Sequence, residues 1–185
     1  MTKIVRLQTE KEYTVNSFDD IVIAEGDHQK IIIPEEREVE VLLRGQDAEV
    51  ECRGGKCRIY TGTEAESKIT LIGSFNYVVC GGSCIVTVKG IGNHIVVIGP
   101  YPSIHCEGNC CTVSGELDCA EVDFHKAEEC IAVSNGSIAY LVPGRRTKAI
   151  AGQYVYCEGE KLTEGQVYEI EGPYLTKLDE SGLPL

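Results

Sequence analysis

No stretch of 18 apolar residues occurs in the chain, so no segment reads as a membrane-spanning helix. Basic residues are in deficit: 17 Lys and Arg stand against 29 Asp and Glu, a formal charge of −12. That balance disfavours a nucleic-acid groove and an anionic membrane surface as partners, with an acidic DNA mimic as the exception. The opening "MTKIVRLQTEKEYTV" lacks the apolar core and small-residue cleavage site of a secretion signal. Nor does any run show the 3.6-residue apolar period of a helix. Hydrophobic residues are plentiful, at 43% of 185 positions, which is enough for the core of one domain with a tail. Ten cysteines stand beside the missing signal. They either stay reduced or become oxidised after release from a cell.

The cysteines keep a beat. Cys57, Cys84 and Cys111 are each 27 residues apart, and a further 27 reaches Ile138 in "NGSIAYLVPG". Gly26, Gly54, Gly82, Gly108 and Gly136 follow at 28, 28, 26 and 28, and Gly45, Gly73 and Gly99 at 28 and 26. Each step holds three short runs rich in β-branched residues and closed by Gly, Asn or Pro, such as "AEVECRGG", "KCRIYTG" and "SKITLIG". Three strands per repeat predicts an all-β parallel β-helix (a β-solenoid) of about five coils of ~27 residues, stacked ~4.8 Å apart. The helix is expected over residues 20–143, after an N-terminal cap or strand at 1–19. A C-terminal β extension and arm, 144–185, carries two Tyr-rich runs in "QYVYCEGEKLTEGQVYEIEGPYL".

Alternation then assigns faces, because every second side chain of a strand points inward. Counting back two from the strand-ending glycines gives Ala24, Cys52, Cys80, Cys106 and Ser134, all small. On the following strand the inward column reads Ile31, Cys57, Cys84, Cys111 and Ile138, and two residues on Ile33, Ile59, Val86, Val113 and Tyr140. Six cysteines, Cys52, Cys80, Cys106, Cys57, Cys84 and Cys111, thus form an interior ladder of small apolar groups at coil corners. Cys110, Cys119, Cys130 and Cys157 fall off that ladder. They read as surface or loop thiols and as candidates for inter-chain disulfides.

No site chemistry emerges from the remaining residues. A zinc or iron–sulfur centre needs ligands converging on one point, whereas these cysteines climb an axis, so no metal and no cofactor are expected. His28, His94, His105 and His125 read as surface residues. The acids in "FDD" at 18–20 and "EEREVE" at 35–40 read as solvated corners and faces. "GSFNYVVCGG" and "GIGNHIVVIG" are not phosphate loops, since no helix follows them. The chain is expected not to be an enzyme.

A short, signal-less, all-β coil stack over 20–143 without a catalytic constellation resembles the small β-helical accessory proteins of tailed phages, the capsid decoration, collar and tail modules. The resemblance implies a structural virion protein made in the host cytoplasm, oligomeric with other structural chains, with disulfides formed in the released particle. It differs from the common spike pattern in its cysteine content and its few coils. Two other classes stay open: a carbohydrate-binding or carbohydrate-cleaving β-helix, and a bacterial scaffold or DNA-mimic solenoid.

Overall fold

The computed structural model describes residues 2–16, 19–62, 66–117, 119–134, 137–150, 154–157, 160–171, 174–179, 181 and 183–185. Among these there is no helix, and the strands form two sheets. The first sheet contains β1 (Ile4–Leu7), β3 (Ile21–Ala24), β5 (Glu40–Leu43), β7 (Arg58–Thr61), β9 (Tyr77–Cys80) and β11 (His94–Val97). It continues with β13 (Thr112–Gly115), β15 (Ile131–Ser134), β17 (Thr147–Ile150), β20 (Val167–Glu171) and β21 (Tyr174–Leu178). The second contains β2 (Glu12–Thr14), β4 (Lys30–Ile33), β6 (Ala48–Cys52), β8 (Ser67–Leu71) and β10 (Ile85–Val88). After these come β12 (Ser103–Cys106), β14 (Ala120–Asp123), β16 (Ser137–Val142), β18 (Tyr154–Cys157) and β19 (Glu160–Lys161).

From β1 to β18 the chain therefore alternates sheets at every strand, and each coil holds two strands. Pairing is parallel from β1 to β17 and from β2 to β18. The last strands reverse: β20 runs antiparallel on β17 and β21 antiparallel on β20, and β19 runs antiparallel on β18. These reversals cover the final parallel strand of each sheet, which would otherwise offer unpaired edge groups.

The β-solenoid is as expected, but its coil is not. Ile21 pairs with Glu40, Glu40 with Arg58 and Arg58 with Tyr77, steps of 19, 18 and 19 residues. There are about eight turns of ~18 residues, in place of five turns of 27 with three strands each. The reason is arithmetic. One strand with its corner occupies about nine residues, so a 27-residue step is three half-turns and lands on the opposite sheet. Cys57 leads into β7 and Cys111 into β13 of the first sheet, whereas Cys84 leads into β10 of the second. They do not form one column.

Face alternation is unchanged by that miscount, because an odd number of half-turns still carries an inward position to an inward position. Val22, Val50, Val78 and Ile104 are all buried, as are Ile33, Ile59, Val86 and Val113. Tyr140 breaks the series: it is 50% exposed, while Leu141 is buried. A register irregularity in β16 between Ile138 and Leu141 shifts the phase by one residue, and Tyr140 turns outward with it. Gly136 and the side chain of Ile138 lie outside the described residues.

Glycines allow the coils to close at one corner. A Cβ on Gly73 would meet the Gly54 carbonyl, one on Gly90 the Gly73 carbonyl, and one on Gly108 the Gly90 carbonyl. Backbone approaches so closely there that only hydrogen fits.

Candidate functional site

The registers place the cysteines at two opposite corners of the coil. Where the second sheet turns into the first, the column preceding the strands reads Val39, Cys57, Asn76, Asn93, Cys111, Cys130 and Thr147. Beside it, at the ends of β4 to β12, stand Ile33, Cys52, Leu71, Val88 and Cys106. At the other corner Cys80 ends β9, one layer from Thr61, and Cys84 leads into β10, one layer from Ser67.

All six cysteines of the expected ladder are buried. They meet as pairs across corners: Cys52 with Cys57, Cys80 with Cys84, and Cys106 with Cys111, each joined by a thiol–thiol hydrogen bond. Cys130 hydrogen-bonds to Cys111 from the next coil. These hydrogen bonds raise the pKa of Cys52, Cys80, Cys106 and Cys130, and burial adds to the rise. The same bonds lower the pKa of their partners Cys57, Cys84 and Cys111 against burial. The thiols of Cys84 and Cys57 donate to corner carbonyls, Gly81 O at 2.7 Å and Arg37 O at 3.2 Å. None of the ten cysteines is in a disulfide.

Two of the four cysteines expected outside the ladder are corrected. Cys130 is 0% exposed and Cys157 1%; Cys130 continues the Cys57 column and Cys157 ends β18 facing the core. Cys110 and Cys119 are exposed, each with a left-handed backbone at φ 56° and 51°. Cys110 Sγ lies 3.6 Å from Glu129 Oε2, and burial and that carboxylate raise its pKa.

Sequence reasoning missed the buried asparagines. Asn76 Oδ1 accepts from the Cys57 amide at 2.8 Å, and Asn76 Nδ2 donates to Gly54 O at 3.1 Å. Asn93 repeats the pattern, accepting from Asn76 N at 2.9 Å and donating to Gly73 O at 3.2 Å. Their sign in the sequence is an Asn before a β run in "FNYVV" and "GNHIVV", 17 residues apart.

A polar chain on the outside of the second sheet was also missed. Ser103 Oγ lies 3.0 Å from His105 Nε2, His105 Nδ1 3.6 Å from Asp123 Oδ2, and His125 Nδ1 2.6 Å from Asp123 Oδ1. Burial raises the Asp123 pKa, but hydrogen bonds from the backbone and ring of His125 prevail and hold it down. The order Ser–His–Asp resembles a nucleophilic relay, yet Ser103 also faces Glu121 Oε2 at 3.3 Å. Its own amide is bonded to Cys84 O at 2.9 Å, and its strand is paired on both sides. The strand geometry around Ser103 thus provides no pair of free N–H groups for an oxyanion.

At the N-terminal turn Asp19, buried, accepts from Tyr13 Oη at 2.6 Å and from the Asn16 amide at 3.0 Å, and pairs with Lys3 Nζ at 2.9 Å. The acid thus ties the first coil together. Asp20, from the same "FDD", accepts from the Lys3 amide at 2.7 Å, while Phe18 lies outside the described residues. No group of three or more His, Cys, Asp or Glu that could hold a metal ion is present among the described residues.

The outer faces of the two sheets differ. Outward positions of the second sheet include Glu49, Glu51, Lys68, Thr70, Glu121 and Asp123, whereas the first sheet presents a column of Leu42, Tyr60, Val79, Val96, Val133 and Ile150. Only Ser114 interrupts that column, between Val96 and Val133. Comparison with protein-family models, curated proteins and solved structures gives no match to this chain.

Proposed function

We infer that the chain is a structural building block, a rigid rod whose work is to present two fixed faces to neighbouring chains in a larger particle. The observation that carries this reading is the contrast between hydrogen-bonded asparagines and thiols at the inner corners and an apolar column, Leu42 to Ile150, on the outside of the first sheet. Inward polar groups at the corners, Asn76, Asn93 and the thiol pairs, hydrogen-bond to backbone or to each other. Such groups fix the coil. Apolar outer surface, by contrast, marks an interaction site.

The reading extends to a virion-type accessory protein of the capsid-decoration, linker or collar kind. Cys110 and Cys119 are the thiols positioned for inter-chain disulfides once the particle leaves a reducing cytosol, since both are exposed. Sedimentation of unreduced native-source extract through a density gradient tests this. The chain should travel with a particle many times its own mass; recovery only as a free 20.2 kDa species would overturn the assignment.

A further inference from the structure

We propose that the outer face of the first sheet, from β3 to β17, joins two copies of this chain face to face. The inference rests on the building-block reading and specifies which surface does the joining and with what.

Parallel sheets are found almost only where both faces are covered. The first sheet is covered inside by the second, but its outside is bare and reads like a second core face. Tyr77, Ile131 and Ile150 there are 36%, 36% and 37% exposed, and Leu42, Tyr60, Val79, Val96 and Val133 are half-buried by their neighbours alone. The residues follow one another strand by strand: Leu42 beside Tyr60, Tyr60 beside Val79, Val79 beside Val96. From Leu42 to Val96 they make a continuous ribbon, which Ser114 interrupts before Val133.

Two arguments choose a second copy as the occupant. The first is charge. The chain carries −12 overall, so most pairs of surfaces on two copies repel. On the outward positions of β3 to β17 the formal charges are Glu40 against Arg58 and Lys148, so this face meets its own copy without that penalty. An acidic or basic partner would find no complementary field there. The second is area. Four-residue strands are about 13 Å long and eight of them span about 38 Å, giving about 500 Å² per face and about 1,000 Å² for the pair. That reaches the size at which specific association begins.

The test is sedimentation velocity of the full chain from about 1 to 200 µM, with reductant present so that no disulfide contributes. Wild type and the second-sheet control Thr87→Glu should sediment as dimers of twice the chain mass at the upper concentrations. The double variant Val79→Glu/Val96→Glu should be monomeric throughout, with association at least about 100-fold weaker, because it sets like charges against each other at the centre of the face. Tyr60→Glu provides a second, independent disruption, and far-ultraviolet circular dichroism identifies any variant that has not folded. A wild-type dimer that both folded variants leave intact overturns the assigned face while leaving the building-block reading standing. A monomer at every concentration overturns the self-pairing itself, and the gradient experiment on native material then decides the wider reading separately.

Discussion

The side-chain oxygen of Asn76 accepts the amide hydrogen of Cys57 at 2.8 Å, one coil below it. Asn93 does the same for the amide of Asn76 at 2.9 Å. Each asparagine thus supplies the acceptor that a corner amide loses when the strand ladder ends.

Replacing Asn76 by Ala leaves both the Cys57 amide and the Gly54 carbonyl without these partners inside the protein. Each orphaned group costs about 1–3 kcal/mol, so about 2–6 kcal/mol in total is expected. In a chain of this size that lowers the melting temperature by roughly 5–25 °C, measurable by calorimetry. A change within 2 °C would mean that the asparagine column is not bearing on stability.

Leu71 fills the interior beside Cys52, whereas Thr87 points outward from β10. Leu71→Ala should cost about 2–5 kcal/mol through lost burial and a residual cavity. Thr87→Ala should stay within about 0.5 kcal/mol. Equal shifts in denaturant midpoint at the two sites would contradict the assigned faces.

Acid should loosen the N-terminal turn first. Burial would raise the Asp19 pKa, but hydrogen bonds from Tyr13 and Lys3 and from the Asn16 amide prevail and hold the carboxyl below its ordinary value. A depressed folded pKa stabilises fully above the unfolded value of about 3.9 and is lost as pH falls through the folded one. The same contact, after burial, pushes the Tyr13 phenol up to about 12, so its contribution is complete below about pH 10 and lost as pH rises toward that value. Amide exchange of β1 and β3 at pH 7 and pH 3 should show selective loss of protection in acid. In Asp19→Asn that pH dependence should flatten.

Brief alkylation of the native, reduced protein should modify Cys110 and Cys119 and spare the eight buried thiols. Intact-mass measurement is expected to find two adducts per chain, rising to ten after denaturation. Ready labelling of Cys130 or Cys157 in the native state would contradict their placement in the core.

Burial was legible in the sequence because it depends only on alternation, and alternation survives a wrong count of strands per turn. Ile33, Ile59, Val86 and Val113 fall inward by alternation and are buried. The turn itself was not legible from Cys57, Cys84 and Cys111, since sheets that both require small residues at their corners repeat the same signal every half-turn. Cys130 carries the true step, 19 residues after Cys111 in the same column, yet it sits after "ELDCAEVDFHKA", where polar residues hide a regular strand, β14. Tyr140 was misplaced because an irregularity inserts no recognisable residue type. The Ser103–His105–Asp123 chain was invisible for a different reason: His105 and Asp123 become neighbours only once the 18-residue register is known.

That register underlies the corner thiol pairs, the asparagine column and the apolar outer face alike, and nuclear Overhauser contacts in a uniformly labelled sample test it most directly. Methyl protons of Val78 should contact those of both Ile59 and Ile95, and the side-chain amide of Asn76 should contact Cys57 and Asn93, since these are strand neighbours on either side. Direct contacts between the residues leading into β7 and β10, Cys57 against Cys84, as stacking on a 27-residue coil would require, would contradict the account.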